Sequence, residues 1–111
     1  MIEVKIREYL VSTLNIPVFL EFPSNPPKEF IIFEKTGSGR KEILDTVTIA
    51  FQSYSDTMYK ASVLNEKLKE SVLNMVTLDY IARVELNTDY NYTDTTLKKY
   101  RYQAVFDINY Y

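Results

Sequence analysis

Between Thr46 and Val76 the hydrophobic period changes once, and that change constrains the fold more than anything else in the chain. Val47, Ile49 and Phe51 alternate with Thr48, Ala50 and Gln52, the period of two of a half-buried strand. Four residues on, after Ser53-Tyr54-Ser55-Asp56, the spacing becomes helical. Ala61, Leu64, Leu68, Val72 and Met75 share one face of a helix predicted over about 57–76. Ser55 or Asp56 is the expected cap, since a side-chain oxygen there can accept from an orphan N–H. A strand running directly into an amphipathic helix requires a mixed α and β architecture.

The flanking segments complete the outline. Ile2, Ile6, Tyr9, Leu10 and Leu14 predict a first helix over 2–14, stopped at Asn15-Ile16-Pro17 because a residue before proline is driven out of the α region. Val18–Glu21 is a short extended segment, and Pro23-Ser24-Asn25-Pro26-Pro27 a stiff connection with few donors. Glu29–Lys35 is a strand apolar on both faces at its middle, so it should be central or covered on each side. Gly37-Ser38-Gly39-Arg40 reads as a hairpin tip, followed by a return strand over 42–54. Tyr80–Asp89 alternates, with Tyr80, Ala82, Val84 and Leu86 on one side. Tyr90–Asp94 is a turn-rich loop, and Lys99–Tyr110 the last strand. The expected fold is α+β, an antiparallel sheet with two helices on one face in the order α-β-β-β-α-β-β. A chain of 111 residues without a linker or repeat makes one domain, 1–111.

Composition excludes more chemistry than it suggests. The chain has neither His nor Cys, so no Ser-His-Asp or Cys-His arrangement can be built, and the commonest zinc ligands are missing. Glu66 and Glu70 lie four apart on a helix with Lys67 and Lys69 between them, which is a solvated surface pattern. Asp89, Asp94 and Asp107 do not have calcium-loop spacing. Gly37–Lys41 lacks the spacing of a phosphate loop and precedes a strand where such a loop precedes a helix. Neither catalytic, metal-binding nor cofactor-binding residues are therefore expected. A net charge of −2 gives no general attraction to nucleic acid or to an anionic membrane. The charged start, Met1–Glu8, does not resemble a signal peptide, and a cytoplasmic site of synthesis is expected.

What is left over points to surfaces. Lys98, Lys99 and Arg101 alternate with Tyr100 and Tyr102, so a regular strand puts cations and rings on opposite faces. Tyr90, Asn91, Tyr92, Tyr110 and Tyr111 lie in a loop or at the end of the chain, where one core can hardly use so many rings; tyrosine there suits an interface. Long strands also leave an edge that must be guarded or paired.

Taken in order, these segments resemble the small tail-terminator proteins (tail-completion, or head–tail joining) of long-tailed bacteriophages and prophages. The resemblance is carried by Ile16-Pro17-Val18-Phe19, Phe22-Pro23 and Pro26-Pro27, then by Phe30–Gly37. It continues through Val47–Ser55 running into a helix with Ala61, and ends with Asp94 before Tyr100–Ile108. It implies a virion protein without catalysis that forms a hexameric ring on the head-proximal end of the tail. Such a ring ends growth of the tube, meets the major tail tube protein on one side and the head connector on the other, and lets DNA pass through its lumen without specific binding. Before assembly the protein would reside in the host cytoplasm. Gly37, Ser38, Gly39, Arg40, Tyr90, Asn91, Tyr92, Tyr110 and Tyr111 are the expected contact residues. Two alternatives stand beside this one: a neighbouring head–tail adaptor, and a small module that binds a peptide or nucleic acid by strand addition.

Overall fold

The computed structural model describes residues 1–111. Helix α1 (Ile2–Leu14) is followed by strands β1 (Val18–Phe19), β2 (Phe30–Lys41) and β3 (Leu44–Ser55). Then come α2 (Met58–Leu73), a 3₁₀ turn over Asn74–Thr77, β4 (Ile81–Asn91) and β5 (Tyr100–Tyr110). The five strands form one sheet in the order β1-β2-β3-β5-β4. Both helices lie on one face of it, so the α+β architecture is as expected. The sheet is mixed, because β1 pairs with β2 in parallel, Val18 opposite Ile31. The polypeptide from Phe19 to Phe30 loops round and re-enters the sheet in the same direction, which a direct hairpin could not do.

The core lies between sheet and helices. Ile2, Ile6 and Leu10 of α1 and Leu64, Leu68 and Val72 of α2 pack on Ile31, Phe33, Val47, Ile49, Phe51, Ala104, Phe106 and Ile108. Phe51 occupies the middle, 5.3 Å from Phe33 on one neighbouring strand and 5.8 Å, edge to face, from Phe106 on the other. The opposite face of the sheet is partly covered as well. Residues 20–29 fold across it, so that Phe22 meets both Phe30 and Tyr54 edge-on at 5.8 Å, while Phe30 and Tyr54 stack at 4.6 Å. This explains the two apolar faces of β2: helices bury one and the proline-rich connection shields the other.

Four local expectations are corrected. The turn between β2 and β3 is Glu42-Ile43, because the last ladder pair is Lys41 with Leu44. Glu42 takes the positive φ of 57° there, while neither glycine has a positive φ. Gly37–Arg40 are thus strand residues. The cap of α2 is Thr57, whose hydroxyl accepts from the Lys60 N–H at 3.1 Å, while Asp56 forms an ion pair with Lys60. The helix itself stops at Leu73 and tightens into the 3₁₀ turn. Finally, β4 does not alternate regularly. Bulges between Ile81 and Arg83 and between Leu86 and Thr88 shift its register against β5. Each adds one residue to the strand and reverses the faces beyond it. The strand therefore extends to Asn91, and Tyr90 and Asn91 belong to it and not to a loop.

Truncating Phe51 to Ala removes the ring at the centre of this core and should lower stability by about 3–5 kcal/mol. Thr57→Ala should cost about 1 kcal/mol, and Asp56→Ala far less, because only the former removes a cap. Denaturant unfolding of the three variants checks both statements.

Candidate interaction surfaces

Hydrogen-bonded rows across the sheet place every expected contact residue. One row runs Arg40, Asp45, Tyr110, Ile81; another runs Ile31, Ser53, Tyr102, Asn91. The first lies beside the β2–β3 turn and the second at the far end of the sheet. Gly37–Arg40, Tyr110 and Tyr111 therefore gather toward one end. Tyr90, Asn91 and Tyr92 gather at the other; along the strands Tyr90 is about 13 Å from the level of Gly37, and Asn91 about 26 Å from that of Arg40. The nine residues form two surfaces, not one.

The turn end is bare. Every residue from Glu34 to Ile43 is exposed, and Ile43 at the tip is 76% accessible. Arg40 reaches back to Asp45 at 3.2 Å, an exposed pair that contributes little. Tyr110 packs against the core while Tyr111, 68% accessible, donates its N–H to the Tyr80 carbonyl.

The far end is a network centred on Arg101. Its Nη1 donates to the Tyr54 hydroxyl at 2.8 Å and its Nε to the Tyr92 carbonyl at 2.7 Å. The guanidinium lies 4.4 Å from the centre of the Tyr92 ring. Tyr54 in turn donates to Gln52, Gln52 to Gln103 at 2.9 Å, and Gln103 to the Tyr90 hydroxyl. Tyr90 and Tyr92 meet edge to face at 5.8 Å. Alternation along β5 does separate Arg101 from Tyr100 and Tyr102. The cation nonetheless finds aromatic partners, supplied by β3 and by the segment after β4. Lys99 likewise sits 4.6 Å from the ring of Phe22. A one-strand reading of periodicity misses such partners, since they come from elsewhere in the chain. The loop itself is closed by Asp94, whose carboxylate accepts from the N–H groups of Thr96 and Leu97. Leu97 stands out from it at 64% accessibility.

These stacks are internal. Tyr54 is buried and the Arg101 fork is occupied, so neither presents a free platform to a base. No three His, Cys, Asp or Glu side chains come together as a metal-binding group. No helix is long and apolar enough to cross a membrane.

A second polar cluster ties α2 to β4. Lys69 bridges Asp89 and Glu66, both at 2.9 Å, and Asn65 donates to the same Asp89 carboxylate at 3.1 Å. The hydrogen bond to Asp89 chiefly raises the Lys69 pKa, against an opposing effect of burial; Glu66 adds to the rise. Burial, then the charge of Glu8, raises the Tyr80 hydroxyl; burial, then Asp45 and Glu3, raises Tyr110.

Compared with models of known protein families and with curated proteins, the sequence matches none.

The three raised groups act in one direction. Each holds its proton more tightly in the folded chain, so its stabilising contribution is complete below the unfolded pKa, about 10 for tyrosine and lysine. It is lost as pH rises through the folded value. Stability should therefore be insensitive to these groups near neutrality and fall above about pH 10. Lys69→Met should make that alkaline fall shallower, as read by urea midpoints from pH 8 to 11.

Proposed function

We propose that this chain is a structural subunit of a phage or prophage virion. It forms a ring on the head-proximal end of a long tail, ends polymerisation of the tube and joins the tail to the head connector. The observation that carries this reading is the distribution of unsatisfied surface. A joining ring must contact its own copies laterally and two different partners at its two ends. Exposed apolar side chains stand at both ends of the sheet, Ile43 and Tyr111 at one, and Leu97, Tyr92 and Phe22 at the other. Each is rimmed by polar groups, as contact patches are.

The order of the segments supports the same assignment through its resemblance to tail terminators. The small negative charge suits a lumen through which DNA slides, since each phosphate that a cation neutralises would add binding. In this reading the tube protein and the head connector dock on opposite ends, and the activity is assembly with no bond made or broken. An adaptor elsewhere in the head–tail neck would use the same surfaces. A peptide-binding module would use the sheet edge alone.

Mass and phenotype separate these. Native mass measurement at rising concentration should show closed species at multiples of the 13.1 kDa chain, ending at six copies. Deleting the gene from its phage should leave full heads apart from tails of abnormal length. Normal virions in its absence would exclude the role.

A further inference from the structure

The sheet has two free edges, and they face opposite ways. β1 covers β2 only at Ile31 and Ile32, so from Phe33 to Lys41 the outer side of β2 has no strand partner. β4, on the other margin, pairs with β5 alone along its whole length. An unpaired edge exposes backbone donors and acceptors, and a soluble protein either blunts it or uses it.

The ladders place these two edges at the same height. Ser38 lies in line with Val47, Ile108 and Val84, and Lys35 with Ile49, Phe106 and Leu86. The strands also run in opposite directions: β2 is antiparallel to β3, β3 to β5, and β5 to β4. Placing a second copy beside the first, without sliding it along the strands, sets the β4 of one against the bare half of β2 in the next. The pair is antiparallel, so the alternation of the sheet continues from copy to copy.

The side chains fit this arrangement. Gly37 lies in the row of Thr48, Asp107 and Glu85; Gly39 lies in the row of Thr46, Asn109 and Arg83. Both glycines of the chain therefore fall opposite the two long side chains of the β4 edge. Arg83 and Glu85 are exposed and joined to each other at 2.7 Å. Gly37 follows a register shift in β2 after Lys35; an added Cβ there would meet Thr48 at an ordinary 3.9 Å, while one at Gly39 would crowd the Thr46 hydroxyl at 3.2 Å. Glycine in a strand marks a bulge or a place where another backbone comes close, and these two have no side chain to obstruct a strand laid along the β2 edge.

We infer that copies of this chain join head to tail by pairing Lys35–Gly39 of β2 with the regular stretch Arg83–Leu86 of β4 in the next copy. Gly37 and Gly39 accommodate its Glu85 and Arg83. The contact is heterologous, the kind that closes into a ring when the rotation between copies divides a full turn. The inference deepens the self-assembly reading above and rests on it.

The chain has no cysteine, so introduced thiols report contacts cleanly. Ser38→Cys and Val84→Cys are mixed as single variants and oxidised, with Lys67→Cys on the outer face of α2 as the reference. The expected result is a disulfide dimer from the Ser38→Cys and Val84→Cys mixture, at least tenfold above either paired with Lys67→Cys, and a ladder from the double variant. Gly37→Arg should keep the unfolding midpoint of the parent chain and lose the oligomer. Oligomers that form without the 38–84 cross-link would overturn the edge contact and leave the ring standing. Dominant 38–38 linkage would mean a two-fold contact and overturn it too. A chain that stays monomeric at every concentration, without the cross-link, would remove both.

Discussion

The packing of Phe33, Phe51 and Phe106 across β2, β3 and β5 is the constraint on which the rest of the structure depends. Three rings on one face of three neighbouring strands hold the central register, because sliding any strand by one residue would turn its ring away from the helices. The rows that extend outward from this register decide which residues share a height at the two margins. Any slip would separate Gly37 from the level of Glu85, and Tyr90 from that of Gln103. The surface geometry is thus a consequence of the core.

The two faces and two ends of the sheet carry different tasks. The helical face is mainly apolar, with Ser53, Asn65 and Ser71 buried in it. The other face is tied by amides, hydroxyls and the Arg101 fork, whose hydrogen bonds use up groups that could otherwise attract ligands. Backbone at the edges and apolar tips at the ends stay open to a partner. On the function proposed above, such a chain would act through shape and contact.

Much of the fold was legible in the sequence because its cores are periodic. Ala61, Leu64, Leu68, Val72 and Met75 are all buried, as are Val47, Ile49 and Phe51. The errors fall where a local rule met a competing one. Two glycines between strands suggested a tip, but the strands continued past them and Glu42 adopted the left-handed turn conformation instead. Strict alternation in β4 was broken by two bulges, which leave no mark in composition. The parallel β1 is two residues long and is defined by its partner, so periodicity could not identify it. Arg101 was visible as a cation among tyrosines, yet its ring partners come from Tyr54 and Tyr92, which no single-strand pattern relates to it.

Amide hydrogen exchange at residue resolution, comparing dilute chain with assembled ring, tests the central claim most directly. Assembly through the sheet margins should slow exchange selectively in 33–41 and 82–88, while α1 and α2 keep the rates of the free chain. Edges that exchange as fast in the ring as in the monomer, with protection appearing on the helices or around Arg101 instead, would contradict it.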